Sequence, residues 1–155
     1  MATLKQKGDL AELRVAADLI RQGHRILIPF GEDHDYDLAI DDGATLQRVQ
    51  VKYTESDGAV VTVRCFSHSL TNGRVRVTKQ YTAATVDWMA VWDATTERCF
   101  YIPAAALGHG RAELRLRLTT CRNNQRRRIR WAEHYCDLAT ATASFEKLDL
   151  DVSGP

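Results

Sequence analysis

Long apolar runs are missing from this chain. Its longest, such as Ile102 to Leu107, fall far short of the roughly 20 residues that a membrane-spanning helix needs. The stretch Met1 to Lys7 also lacks the apolar core of a signal peptide. A cytoplasmic location with no membrane contact is therefore expected. The four cysteines, Cys65, Cys99, Cys121 and Cys136, form no C-x-x-C pair, so a zinc ribbon has no support. A cluster of Cys121, His134 and Cys136 is conceivable, but small thiols in a reducing compartment are the simpler reading. Charge of one sign is lacking too: the net value is +1.

An apolar share of 45% and a charged share of 26% suit a globular protein, and 155 residues suit one domain with one core. The charge is unevenly placed. Between Arg111 and Arg130 lie Arg111, Arg115, Arg117, Arg122, Arg126, Arg127, Arg128 and Arg130, against one acid, Glu113. Acids gather instead at Glu32, Asp33, Asp35, Asp37, Asp41 and Asp42. A basic region that holds a polyanion and an acidic region that holds a metal would produce this pattern. So would a solvated face whose charges pair elsewhere.

Two segments carry the chemistry. Tyr36 to Ile40 and Val49 to Tyr53 read as strands, with Asp41-Asp42-Gly43 as turn residues between them. Side chains alternate along a strand, so Gln50 and Lys52 share one face while Val49 and Val51 take the other. If the two strands pair, Asp37 stands near Gln50 and Lys52. A carboxylate, an amide oxygen and an ammonium then share a patch suited to a divalent cation and a phosphodiester. Asp35 is a rival for the ligand position should the register slip.

Leu4 to about Gln22 has helical spacing. Leu10, Leu13, Ala17 and Ile20 form its apolar stripe, with Glu12 at the edge beside Val15, Ala16 and Leu19. Gly23 stops it. Strands are expected at Arg25 to Phe30, at Thr45 to Thr54 and at Ala59 to Cys65, the last as hairpin partner of the one before. Phe66 to Gly73 reads as a polar loop, Arg74 to Val77 as a brief extended piece and Thr78 to Val86 as a short helix. Trp88 to Asp93 and Cys99 to Ile102 read as strands, Pro103 as the start of a short helix, and Glu113 to Leu118 as an edge strand. A last helix is expected over Arg126 to Leu138, then a flexible tail over residues 139–155.

This order of elements, with Asp37 and then Gln50-Val51-Lys52, resembles the PD-(D/E)XK nuclease superfamily. Within it, Lys7 to Glu12, Tyr36-Asp37-Leu38, Val86 to Val91, Cys99 to Pro103 and Asn124 through Glu133 look most like one branch, that of group I intron-associated homing endonucleases. The resemblance runs from about Leu4 to Leu138 and implies a nuclease domain over residues 1–138. The implied fold is α/β (α+β), a restriction-endonuclease-like central mixed sheet flanked by helices. The implied activity is metal-dependent hydrolysis of DNA phosphodiesters.

The resemblance implies these roles. Asp37 is the central metal ligand, and Glu12 adds a carboxylate, directly or through water. Gln50 offers its amide oxygen and Val51 its backbone carbonyl. Lys52 orients or deprotonates the attacking water and stabilises charge on phosphorus. The ion is Mg2+, with Mn2+ as substitute, because the donors are all oxygen. Gln50 stands where most of the superfamily has an acid, so the site carries one negative charge fewer. A catalytically weak or inactive nucleic-acid-binding module and a Holliday-junction resolvase-like nuclease are the competing readings. Arg74, Arg76, Arg122, Arg126, Arg127, Arg128 and Arg130, with Lys79, are the candidates for contact with double-stranded DNA. A double-strand break needs two cuts, so a homodimer or homotetramer is expected.

Overall fold

A computed structural model describes residues 1–71, 74–120, 123 and 128–153. Helix α1 (Leu4–Arg21) opens on a capping box. The Thr3 hydroxyl accepts from the Gln6 N–H at 3.2 Å, and the Gln6 side chain accepts from the Thr3 N–H at 2.9 Å. The helix ends before Gly23, which takes the left-handed conformation at φ 96°. Its buried face is Ala11, Val15 and Leu19. The stripe expected to be buried, Leu10, Leu13, Ala17 and Ile20, instead faces outward, with Leu13 70% exposed. Both sets have helical spacing, so periodicity alone did not say which one meets the sheet.

Five strands form the central sheet in the order β1 (Arg25–Leu27), β2 (Leu38–Asp41), β3 (Leu46–Thr54), β7 (Trp88–Asp93), β8 (Arg98–Pro103). Strands β3 and β7 run parallel and the other pairs antiparallel, which makes the sheet mixed. The β2–β3 turn is held by Asp42, whose carboxylate accepts from the Thr45 N–H at 2.7 Å and the Ala44 N–H at 2.9 Å. Every residue of β7 is buried, as befits a strand flanked on both edges and covered by α1. Trp88 and Trp92 are core residues there, 7% and 5% exposed.

The chain between β3 and β7 departs from expectation. Strand β4 (Val60–Arg64) does not pair with β3; its partner is β9 (Glu113–Arg117), antiparallel. The supposed loop from Phe66 forms an antiparallel ribbon, β5 (Phe66–Thr71) with β6 (Arg74–Gln80), which takes in the expected extended piece Arg74 to Val77 and the start of the supposed helix; Tyr81 to Val86 is turn and coil. Asn72 and Gly73 lie outside the described residues. Polar side chains hid these strands, because a ribbon with little core contact needs no apolar alternation. A 3-10 turn at Ala104–Leu107 follows Pro103 as expected.

The C-terminal part also differs. Instead of a helix over Arg126 to Leu138 there is a 3-10 turn at Ala132–Tyr135, then helix α2 (Leu138–Ser153) where a tail was expected. Asp137 caps α2, accepting from the Thr140 N–H at 2.8 Å, and Ala141 is fully buried. Alanine and threonine repeats look featureless in sequence, yet the small Ala141 lets α2 pack close to β8. Among the described residues, no helix is long and apolar enough to cross a membrane.

Candidate active site

The β2–β3 register gathers the candidate residues. Leu38 pairs with Val49, and the Asp37 N–H donates to the Val49 carbonyl at 2.9 Å. Carried back one residue, the register sets Asp37 across from Gln50, so these side chains share a sheet face with Lys52. The Asp37 carboxylate accepts from the Val51 N–H at 2.8 Å, a charge-assisted bond that orients it.

Helix α1 brings Glu12 to the same place. It lies one residue past the buried Ala11, and its carboxyl group is hydrogen-bonded to Asp37. Burial and the neighbouring Asp37 charge push the Glu12 carboxyl up to about 7. Burial pushes Asp37 upward as well, against the Val51 N–H, Glu12 and Lys52, which favour its charged form. Two carboxyls thus meet in a half-dry pocket, where burial and mutual repulsion favour the neutral form of Glu12.

Gln50 is 9% exposed, and its side-chain amide lies 3.5 Å from the Val51 carbonyl oxygen. Rotation of the amide would present its oxygen in place of its nitrogen. Lys52 donates to the Phe66 carbonyl at 3.0 Å, and its ammonium stands 5.2 Å from the centroid of the Tyr81 ring. Burial draws the ammonium pKa down, with Asp37 opposing and Arg64 adding to the fall. Tyr81 is 5% exposed and hydrogen-bonded to Ser67. The sequence reading missed Phe66 and Tyr81, since one opens the unrecognised ribbon, the other follows its last strand, and both reach Lys52 only through the fold. Asp35, the rival ligand, is ion-paired with Lys79 instead.

Glu12, Asp37 and Gln50 with the Val51 carbonyl make an all-oxygen donor set, which fits a hard divalent cation. Two carboxyls this close make a place where positive charge is favoured. Among the described residues, no group of three or more His, Cys, Asp or Glu side chains could hold a metal. The donor set depends on an amide and a backbone oxygen, so it falls outside such groupings. Cys65, Cys99 and Cys136 are free thiols, and Cys121 lies outside the described residues.

The arginines divide into groups. Arg74 opens β6 and is exposed, and Arg76 lies on the same strand. Arg128 is exposed at φ 58°, and Arg130 is half-buried, its carbonyl accepting from the Arg117 N–H at 2.8 Å. Arg122, Arg126 and Arg127 lie outside the described residues.

Comparison with solved structures finds a bacterial homing endonuclease, I-Ssp6803I. It is 24% identical, with 98% of this chain and 97% of that one covered at a TM-score of 0.65. At that identity the likeness establishes the fold, including the mixed sheet expected from sequence. No curated protein matches the chain. The family model for PD-(D/E)XK endonucleases matches residues 2–138, which span α1, all nine strands and the Glu12, Asp37, Gln50 and Lys52 cluster. The chain belongs to the PD-(D/E)XK endonuclease family.

Proposed function

We propose that this endonuclease is a metal-dependent deoxyribonuclease of homing-endonuclease type, with Glu12, Asp37, Gln50 and Lys52 as its catalytic residues. The observation that carries the reading is the convergence of Glu12 from α1, Asp37 from the start of β2, and Gln50 and Lys52 from β3. Asp37, Glu12, Gln50 and the Val51 carbonyl would hold Mg2+, or Mn2+ in its place. When bound, the cation supplies charge neutralisation at the reacting phosphate and acidifies water.

The protein groups do the rest. Asp37 is fixed by the Val51 N–H, so its ligand position costs little reorganisation. Lys52 is held by the Phe66 carbonyl and shielded by Tyr81, and its remaining N–H bonds would serve water and a phosphate oxygen. A water oxygen attacks phosphorus and gives up a proton, one P–O ester bond breaks, and the departing oxygen takes up a proton, so that one proton is passed on in net. Burial lowers the ammonium pKa and so brings Lys52 nearer to exchanging that proton.

Nicking of supercoiled plasmid in Mg2+ tests the reading. Wild-type protein should nick, and Asp37→Ala and Lys52→Ala should not. Persistent nicking by either variant places the site elsewhere. Linear duplex and four-way-junction substrates distinguish homing-type from resolvase-type cutting. One site per chain and two strands to cut point to a homodimer or homotetramer. The outward Leu10, Leu13 and Ile20 of α1 offer an apolar face for it. Light scattering on free and DNA-bound protein decides that; a monomer throughout would refute it.

A second reading, a binding module with a weak metal site, is favoured by the presence of only two carboxylates in the cluster. Calorimetric detection of Mg2+ or Mn2+ binding that Asp37→Ala abolishes counts against it.

A further inference from the structure

Strand β9 alternates strictly. Leu114 and Leu116 enter the core at 2% and 0% exposure, which leaves Glu113, Arg115 and Arg117 on the outer face. A concavity of about 300 Å³ opens there, and Arg111, Arg115, Arg117, Arg128 and Arg130 line it with the single acid Glu113. Two of these arginines are held by the backbone. Arg117 donates to the Thr119 and Thr120 carbonyls, each at 3.2 Å, and Arg111 to the Ala106 carbonyl at 3.1 Å. Arg115 pairs with Glu113 at 2.9 Å. The Arg130 Nε is buried with no hydrogen-bond partner among the described residues.

Five guanidinium groups around so small a space repel one another, and Glu113, with Asp57 near Arg117, offsets only part of that charge. An anion with several oxygens would relieve that repulsion. Guanidinium groups match phosphate oxygens in paired, directional hydrogen bonds. The concavity also lies within electrostatic range of the candidate active site, through Arg64 and Cys65. Arg64 pairs across to Glu113 on the same outer face, and its charge reaches Lys52. The buried Cys65 has both Lys52 and Arg111 within electrostatic range.

We propose that this concavity binds a backbone phosphate of duplex DNA beside the one to be cut, with Arg64 between the two positions. The inference rests on the nuclease reading and narrows the basic region of the sequence to one phosphate position at Arg111, Arg115 and Arg117. It makes the outer face of β4 and β9 a track for the sugar–phosphate backbone, holding any sequence alike.

Fluorescence anisotropy with a labelled duplex in EDTA, over a series of KCl concentrations, tests it. Arg115→Gln and Arg128→Gln alter exposed side chains, and thermal unfolding checks that each folds. Each should weaken binding roughly three- to tenfold on every sequence and reduce the log K against log salt slope by about 0.9 per lost phosphate contact. Glu113→Gln should tighten binding, because it frees Arg115, and a gain of affinity cannot come from misfolding. Unchanged slopes and affinities in all three variants, with a wild type that binds and nicks, overturn the concavity and leave the nuclease reading standing. A wild type that neither binds nor nicks DNA overturns both.

Discussion

The Lys52 ammonium stands over the face of Tyr81, 5.2 Å from the ring centroid, while the neighbouring Phe66 carbonyl accepts its proton at 3.0 Å. The β5–β6 ribbon begins at Phe66 and leads into Tyr81, so it grips the lysine from two sides. A desolvated cation–π contact of this kind contributes about 1–2 kcal/mol. Tyr81→Leu should therefore slow single-turnover nicking about tenfold, whereas Tyr81→Phe keeps the ring and should stay within about threefold of wild type. Equal rates for Leu and Phe would show that the ring does not position the lysine.

Glu12 titrates at about 7, first because it is buried and second because Asp37 lies beside it. Metal binding needs that proton gone, so Mg2+ affinity and nicking should both rise with pH through about 7. In Glu12→Gln the rise near that pH should disappear. Calorimetry at several pH values in buffers of different ionisation enthalpy would read the released proton. A flat pH profile in the wild type would be inconsistent with a Glu12 proton held up to about 7.

The same shift has a consequence for stability, with the opposite sense from a salt-bridged acid. The folded protein holds the Glu12 proton up to about 7, while the unfolded chain releases it near 4.5. Between those values the folded state binds more protons, so metal-free protein loses stability as pH rises through this window. Thermal unfolding in EDTA should show that decline, and added Mg2+ should oppose it by occupying the site.

Gln50→Glu restores the acid found in most of the superfamily. A third carboxylate in a half-dry cluster should tighten Mg2+ binding and lower the melting temperature of the metal-free protein. Gln50→Ala should weaken Mg2+ binding and leave the metal-free melting temperature nearer to wild type. If Gln50→Glu binds Mg2+ no better than wild type, the Gln50 side chain is not among the ligands.

Asp93 is fully buried at the end of β7 and serves the scaffold. Burial alone would raise its pKa, yet the bonds it accepts hold the carboxyl below its usual value. The Ser56 N–H and hydroxyl donate at 2.8 Å each, and the Thr96 hydroxyl at 2.7 Å. Its stabilisation is therefore present above the unfolded carboxylate pKa and fades as pH falls through the folded one. Asp93→Ala should cost roughly 2–4 kcal/mol in urea unfolding, because the half-buried Ser56 and Thr96 donors lose a charged, fully buried acceptor. A loss under about 1 kcal/mol would mean that water replaces the carboxylate without penalty.

Much of the central sheet was legible in the sequence. Dense apolar runs such as Trp88 to Asp93 read as strands because a buried strand needs apolar residues on both faces. The Asp41 to Gly43 turn was legible for a local reason: Asp42 and Gly43 make turn geometry with their own neighbours. Of the β5–β6 ribbon only Arg74 to Val77 was legible as extended chain, and α2 was not legible, since little of their patterning is core patterning. The β4–β9 pairing was hidden for another reason. It joins segments far apart in the chain, and alternation in each says that it is a strand without saying which strand it meets.

The site divides in the same way. Strand alternation and a short turn grouped Asp37 with Gln50 and Lys52 in the sequence, with Asp35 as the rival should the register slip. The sequence also determined that Glu12 borders an apolar helix face. Only the tertiary structure decided that this face is Ala11, Val15 and Leu19, and hence that Glu12 meets Asp37 rather than water. It alone decided that Asp35 is spent on Lys79 and that Tyr81 covers Lys52. Periodicity constrains one element at a time. Which carboxylates meet, and which lysine is shielded, depends on the distances between elements that packing sets.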